Sequence, residues 1–247
     1  MTYCTTELIE FVSERKQHLY RRRSDQMPIP GVTSILQVLA KPALIQWAAN
    51  MASDYWRAKA LEFDGLFSDN VRELIWAEAK KAHRTFSTDA ANIGTEVHKY
   101  AEASLKGQTL PQLTTEEARR GAAAFEKWRA DHRIELGTAE RICFSQDHWY
   151  AGTCDFVGRI DSENCVADFK TASGIYPEMH LQLAAYQQAI IEETGQNFSA
   201  RWVIRFDKKT GEFEAKPFRT DFTRDFEAFL AALRLHRTLK QIEEENR

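Results

Sequence analysis

The stretch WYAGTCDFVGRI (residues 149–160), followed by VADFKT (residues 166–171), decides how this chain folds. The turn-forming run DSEN (residues 161–164) separates them, which predicts two neighbouring strands, Trp149 to Ile160 and Asn164 to Thr171. Side chains alternate faces along a strand, so Asp168 and Lys170, two residues apart, project to the same side. Asp155 supplies a second carboxylate at hairpin distance.

Two carboxylates beside a lysine fit the hydrolysis of a phosphodiester bond. That reaction needs charge neutralisation at the phosphate and an activated water, which one or two Mg²⁺ or Mn²⁺ ions supply. Such ions prefer hard oxygen ligands, so Asp155 and Asp168 are predicted metal ligands, and Lys170 is suited to orient or deprotonate the attacking water. A surface ion pair between Asp168 and Lys170 is the alternative. The apolar Val166 and Ala167 before them favour a buried functional site.

The bulk composition limits what the chain can be. Its 247 residues, 43% of them hydrophobic, suffice for one elaborated domain with a real core. No run approaches the roughly 18 apolar residues of a membrane helix, and the N-terminus lacks a signal-peptide pattern, so we expect a cytoplasmic protein without a membrane partner. The net charge is −3, so any nucleic-acid site must be a local basic patch.

The four cysteines, Cys4, Cys143, Cys154 and Cys165, allow two disulfides or one tetrathiolate site. None stands in a CxxC pair, and three fall inside predicted strands. Free and largely buried thiols are therefore expected.

The order of elements predicts one α+β domain, residues 1–247, with a helical N-terminal part. Residues 1–30 are polar and irregular, which indicates an arm or small hairpin rather than a core element. Apolar periodicity and caps predict helices from Pro42 to Leu61, Asn70 to Phe86, Asp89 to Leu105 with Thr88 as cap, and one opening with the capping box at Thr114. Beyond the strand Thr138 to Ser145 and the two above, we expect a helix from Pro177 to Gly195, strands Ala200 to Phe206 and Glu212 to Phe218, and a final helix.

Four motifs resemble, in order and spacing, those of RecB-like nucleases of the PD-(D/E)XK superfamily: GTEVH (residues 94–98), GTCD (152–155), DFK (168–170) and QLAAY (182–186). The resemblance covers roughly residues 90–206. It implies a restriction-endonuclease-like core, α-β-β-β-α-β with a central mixed sheet flanked by helices, in residues 88–206. Residues 1–87 would be an arm and helical annex, and residues 207–247 a closing strand and helix. Gly152 replaces the proline that gives the superfamily its name.

The resemblance also implies residue roles. His98 becomes a third metal ligand, although alone it would more often be a core histidine. The main-chain carbonyl of Phe169 adds a further ligand. Gln182 and Tyr186, four apart on one helical face, are assigned to DNA contact, against ordinary helix surface and core as the alternative.

Three other residues have weaker support. Thr171 is suited to a hydrogen bond near the DNA phosphate. Glu102, one turn beyond His98, and Glu140 on the first strand could approach the metal ligands as supporting groups. Exposed glutamates are the commoner interpretation of both.

Two further comparisons concern cofactor and substrate. Related CRISPR-associated nucleases hold an iron–sulfur cluster with one cysteine before the core and three near the C-terminus; no cysteine follows Cys165, so we expect no iron–sulfur cluster. The segment PGVTSIL (residues 30–36), with Pro42 and Trp47, is similar to the opening of mitochondrial genome maintenance exonucleases and related phage or bacterial proteins. Those enzymes act on single-stranded DNA with free ends.

Basic residues of the N-terminal segment, Arg15, Lys16, Arg21, Arg22 and Arg23, suit phosphate contacts, with a solvated charge run as an equal alternative. Among the aromatic residues Trp47, Tyr55, Trp56 and Trp76, one or two at most would be free to stack on bases.

Together these features predict a Mg²⁺- or Mn²⁺-dependent DNA exonuclease acting on single strands or free ends. By the resemblance it would serve DNA repair, recombination or phage DNA processing, in the cytoplasm of a bacterial or phage-infected cell. Two alternatives stay open: a structure-specific, flap-cutting endonuclease with the same site, and a non-catalytic nucleic-acid-binding module.

Overall fold

A computed structural model describes residues 5–14, 17–39, 41–62, 68–219 and 222–247. The described residues form an α+β protein with eight α-helices, a five-stranded mixed sheet and a three-stranded sheet. The chain forms two compact units, one of residues 40–95 and one of residues 1–39 with 96–247. The predicted annex of residues 1–87 is therefore divided, because residues 1–39 belong with the large sheet. Cys4, Arg15 and Lys16 lie outside the described residues.

The larger unit is built on the five-stranded sheet, in the order β4-β5-β6-β7-β8. Its strands are β4 (Ile134–Ser145), β5 (Tyr150–Ile160), β6 (Glu163–Lys170), β7 (Ala200–Phe206) and β8 (Phe213–Phe218). All neighbours are antiparallel except β6 and β7. A parallel pair needs a crossover, which α7 (Pro177–Thr194) provides. These bounds confirm the predicted strands and this helix to within a few residues.

Helices cover both faces of this sheet. On one face α7 and α8 (Phe222–Glu245) pack with residues such as Leu183, Val166 and Phe229. On the other, α6 (Glu116–Asp131) and the end of α5 (Ala82–Leu105) pack with Phe125 and Phe169. The two helices approach closely at Gly121, where an added Cβ would lie 2.6 Å from Cγ2 of Val97. This contact positions the part of α5 that carries His98.

The N-terminal residues form α1 (Thr5–Leu8) and an antiparallel sheet of β1 (Ile9–Glu14), β2 (Gln17–Arg22) and β3 (Pro28–Ile29). Ile9, Tyr20 and Ile29 pack with Phe144 and Ala151 of the large sheet. The expectation that this segment lies outside the core is therefore wrong. One apolar residue of each strand is buried in this contact, although most of the segment is polar.

After this sheet, α2 (Val32–Ile35) and a 3₁₀ helix (Leu36–Val38) carry buried residues into the core beside α7. Gly31 bridges Ala151 at the start of β5, where the amide of Ala151 donates to the Pro30 carbonyl. The segment similar to exonuclease openings is thus a structural connection to β5.

The smaller unit contains α3 (Pro42–Glu62), α4 (Asp69–Ala79) and the first half of α5. Ser68 caps α4 by accepting a hydrogen bond from the amide of Val71. No residue of α3 is buried, and 51% of Trp76 is exposed.

Two helix boundaries differ from the sequence prediction. The predicted helices 70–86 and 89–105 are observed as 69–79 and 82–105. Residues 82–93 contain neither glycine nor proline, so nothing interrupts α5 at Thr88. The cap of α6 is Thr115, since Thr114 instead binds Glu96 through its amide and hydroxyl. None of the helices in the described part of the chain is both long and apolar enough to cross a membrane.

Candidate active site

The candidate site lies where β5 and β6 separate. The two strands pair only as far as Phe156 and Ala167. Beyond that point β5 stays paired with β4, while Asp168 to Lys170 pair with β7. In the gap, the backbone amide of Phe169 donates to Oδ2 of Asp155 over 2.6 Å. The Asp155 carboxylate thus accepts a hydrogen bond from the Phe169 amide at the point where the β5–β6 ladder has ended.

The backbone is irregular at this level on two strands. Cys154 packs in the core on the α7 face and Phe156 in the core on the α6 face, although they are two residues apart. The alternation of β5 is therefore broken at Asp155. Across the ladder, Glu140 has a left-handed backbone with φ 52°. For a residue with a side chain this conformation costs on the order of 1–3 kcal/mol and is concentrated at functional sites.

Three potential metal ligands meet beside this irregularity. One ligand atom from each of His98, Glu140 and Asp155 lies within 4.8 Å of the other two. Nδ1 of His98 is 3.4 Å from Oδ1 of Asp155, and 30% of the His98 side chain is exposed. The imidazole also meets the ring of Phe169 edge-on, with centroids 6.3 Å apart. Helix α5 therefore places His98 against β5 as the motif spacing predicts.

Asp168 and Lys170 lie next to this group and bind each other. Oδ2 of Asp168 forms an ion pair with Nζ of Lys170, so the two side chains share one face of β6 as predicted. Oδ1 of Asp168 accepts a hydrogen bond from Nε2 of Gln182 over 3.0 Å. Within the described residues, Asp168 is not part of the close group formed by His98, Glu140 and Asp155.

Gln182 and Tyr186 on α7 are buried, at 7% and 2% exposure. Besides Asp168, Nε2 of Gln182 binds the hydroxyl of Tyr186 over 2.8 Å. The Tyr186 ring packs against β5 at Gly152, where an added Cβ would stand 2.4 Å from its Cε1. These contacts position Asp168 and leave each side chain little exposed surface. The DNA-contact role of the two residues stays a prediction.

Opposing charges set the ionisation of His98 and Asp155. Burial lowers the pKa of His98, but the Asp155 carboxylate outweighs burial and raises that pKa to about 9. Burial raises the pKa of Asp155, yet the positive charges of His98 and Lys170 and the Phe169 amide hold it below its usual range. Asp155 is thus the most readily ionised carboxylate of the site.

The other carboxylates hold their protons more tightly. Burial, with the nearby Asp155 charge, raises the pKa of Glu140 to about 7. Burial also raises the pKa of Asp168 to about 6, although Lys170 opposes it. Burial lowers the pKa of Lys170, but Asp168 and Asp155 more than offset this, so its pKa is raised. Beside these two carboxylates Lys170 is an ammonium donor, and the reduced proton affinity expected of a lysine among bound cations stays a prediction.

The remaining predicted residues lie away from direct contact with this cluster or already have partners. Arg22 binds Asp25 through Nε at 2.8 Å, and Nε of Arg23 donates to the carbonyls of Thr6 and Ile9. These guanidinium groups therefore support the N-terminal sheet. Three other predictions can be placed as follows: Arg21 lies on β2 opposite Glu10, Thr171 directly follows β6, and Glu102 pairs with Lys106 at 2.6 Å.

Phe169 reaches the cluster through its amide nitrogen; a role for its carbonyl stays a prediction. The described cysteines, Cys143, Cys154 and Cys165, are free and buried, as predicted. Burial raises the pKa of Cys143 and of Cys165 to about 12.

Glu140 has only weak support from the sequence, as a supporting group, but in the structure it belongs to the group of potential metal ligands. One signal could have found it. A hairpin turn centred between residues 147 and 148 places residue 140 opposite residue 155. The strand register therefore predicts a second carboxylate facing Asp155.

Comparison with protein-family models and with curated protein sequences finds no match to this chain.

Proposed function

We propose that the chain is a Mg²⁺- or Mn²⁺-dependent deoxyribonuclease of the exonuclease type, which hydrolyses phosphodiester bonds at free DNA ends. One observation carries the proposal. The gap between β5 and β6 brings His98, Glu140 and Asp155 within reach of one cation, directly beside the Asp168–Lys170 pair. The resemblance of four ordered motifs to RecB-like nucleases supports the same conclusion.

The donor set fits a hard divalent cation. Asp155 and Glu140 offer carboxylate oxygens and His98 an imidazole nitrogen, a set that suits Mn²⁺ and, through its carboxylates, Mg²⁺. The left-handed backbone of Glu140 is explained if this carboxylate is needed at the site. When bound, such an ion supplies charge neutralisation at the phosphate and activation of water. Asp168 is proposed as a further ligand from the motif resemblance.

The chain's own residues have separate tasks. The Lys170 ammonium holds the attacking water or a phosphate oxygen by donating a hydrogen bond. Asp168 keeps that ammonium charged and in place. Gln182 fixes the other oxygen of Asp168, and Tyr186 fixes Gln182. Misplacing this chain of contacts by about 1 Å is expected to slow the reaction without removing any reacting group.

The element order supports a finer fold assignment as part of the proposal. From α6 through β4, β5, β6 and α7 to β7, the order is α-β-β-β-α-β. This is the order that the motif resemblance implies for a restriction-endonuclease-like core. Asp155 stands on the second strand of that unit, Asp168 and Lys170 on the third, and Gln182 on its second helix.

A degradation time course tests the function. Single- and double-stranded DNA, labelled at either end, is incubated with Mg²⁺, with Mn²⁺ or with EDTA. Asp155→Asn, Asp168→Asn and Lys170→Met are each expected to lower the rate by about a hundredfold or more. Lys216→Met on β8 is the control, because Lys216 is exposed and pairs only with Glu214 there. Wild-type rates in the three site variants would contradict the proposal.

Substrate form separates the rival functions. An exonuclease leaves a closed single-stranded DNA circle uncut, whereas an endonuclease opens it. A flap substrate shows whether the flap leaves in one piece or as short products. DNA binding without cleavage in either metal would indicate a non-catalytic module. A labelled RNA of the same sequence tests the preference for DNA.

A further inference from the structure

A cavity lies outside the candidate active site, between α8 and the turn that joins β4 to β5. Its volume is about 370 Å³. Its polar lining consists of His148, Arg234, Arg237, Thr238 and Gln241, over a floor of two leucines. The turn and helix are held together by Arg237, which donates to the carbonyls of His148 at 2.6 Å and Trp149 at 3.1 Å. The cavity is thus a fixed part of the fold.

The surface around this cavity is positively charged. Helix α8 contains no acidic residue from position 228 to 242, but it carries Arg234, Arg237 and Lys240 there. Arg234 and Lys240 are exposed and make no ion pair with the described residues. Burial and then the charges of Lys240 and Arg237 lower the pKa of His236, against the opposing charge of Glu243. In a chain of net charge −3, this local excess favours an anionic partner.

We propose that this basic α8 surface, formed by Arg234, Arg237 and Lys240, binds the phosphates of the DNA strand whose end lies in the candidate active site. The inference rests on the proposed function and names a second contact for the same substrate. Guanidinium and ammonium groups are the usual partners of backbone phosphates, and such contacts are independent of base sequence.

Strand β5 sets the distance between the two sites. It begins beside the turn at Tyr150 and reaches Asp155 five residues later. At about 3.4 Å per residue this is roughly 17 Å. A DNA strand that rises about 3.4 Å per nucleotide covers that span in about five nucleotides. A strand must therefore exceed this length to contact both sites.

Fluorescence anisotropy with labelled DNA in EDTA tests the inference. The probes are single strands of four, ten and twenty nucleotides and a twenty-base-pair duplex. On the twenty-nucleotide strand, Arg234→Gln/Lys240→Gln is expected to bind about tenfold more weakly than wild type. Its slope of log affinity against log salt should be shallower by about 1.4, since each single-strand phosphate contact contributes about 0.7.

Two controls separate charge from folding. Arg133→Gln removes an equally exposed arginine at the start of β4, the far end of the β4–β5 hairpin, and should leave the affinity unchanged. Thr238→Glu adds a carboxylate to the cavity without removing a cation. This variant alone should bind DNA more weakly than wild type. Thermal unfolding of each variant checks the fold.

Unchanged affinity and salt slope in the double variant overturn the inference. So does an equal loss of affinity in the Arg133→Gln control. If wild type binds and degrades DNA while the double variant binds equally well, only the α8 surface is refuted. If wild type neither binds nor cuts any DNA, the proposed function fails and this inference fails with it.

Discussion

Gln182 donates a hydrogen bond to Oδ1 of Asp168 over 3.0 Å, while Oδ2 of the same carboxylate faces Lys170. The carboxylate is thereby held from both sides, by helix α7 and by its own strand. Both hydrogens of the Gln182 amide are used, because Nε2 also binds the hydroxyl of Tyr186. The orientation of a candidate metal ligand therefore depends on a buried tyrosine, Tyr186.

Tyr186→Phe removes only the hydroxyl that accepts from Gln182. A hydrogen bond of about 1 kcal/mol corresponds to a rate effect of several-fold to tenfold. We expect kcat to fall by about that factor while KM for DNA stays unchanged, as measured by steady-state cleavage. Tyr176→Phe is the control, because the hydroxyl of the half-exposed Tyr176 binds Ser173 and no other side chain among the described residues. A raised KM with unchanged kcat would instead support direct DNA contact.

Gly152→Ala tests the contact that seats Tyr186. The new Cβ would lie 2.4 Å from Cε1 of the Tyr186 ring, inside any normal contact distance. Overpacking of this kind costs about 1–3 kcal/mol, so urea unfolding should show lower stability and kcat should fall with it. At Gly174 the nearest atom is 3.6 Å away, and Gly174→Ala should be well tolerated. Equal stability of the two alanine variants would show that the ring moves freely.

Glu140→Gln should stabilise the protein at alkaline pH in EDTA. Folding raises the pKa of Glu140 from 4.5 to about 7. A carboxyl group with a raised folded-state pKa stabilises fully below pH 4.5, and this contribution is lost as pH rises through about 7. Glutamine does not titrate. Urea unfolding at pH 8 should therefore favour the variant by roughly 1–3 kcal/mol, with the gap closing near pH 5.

Added Mn²⁺ should reverse that order. Wild type gains stability from bound ion at pH 8, and the variant should gain less because it lacks one ligand. Glu135→Gln on the same strand is the control, since Glu135 pairs with Arg133 and Arg159 away from the site. A Glu140→Gln protein that is less stable than wild type in EDTA at pH 8 would contradict the charge assignment.

Thiol reactivity tests the interior positions of the cysteines. Burial raises the pKa of Cys143 and Cys165 to about 12 and that of Cys154 well above its usual value, so the reactive thiolate is scarce at pH 8. Native Cys4→Ser protein should react with a disulfide reagent very slowly, and three thiols should react at once in guanidinium chloride. Rapid labelling of the native variant would place at least one of these cysteines at the surface.

The ion pair on β6 could be predicted from its sequence, because the two-residue spacing of Asp168 and Lys170 places both side chains on one face of the strand. The large-sheet strands and α7 were likewise predictable from local periodicity and turn residues. The left-handed backbone of Glu140 was not, since it arises where β5 changes its alternation across the ladder. The burial of Tyr186 also depends on a distant residue, Gly152. Sequence periodicity describes one helix or strand at a time, whereas the Glu140 backbone and the burial of Tyr186 each depend on contact between two elements.

The bridge from Gly31 to Ala151 has a consequence for any shortened form of the protein. Where β6 leaves β5, the start of β5 would expose unpaired backbone groups, and the N-terminal segment covers them there. Uncovered strand edges recruit other strands. A chain beginning at Val32 would keep every candidate metal ligand and yet present this edge to its neighbours. We expect such a shortened chain to be lost to aggregation before any activity could be measured.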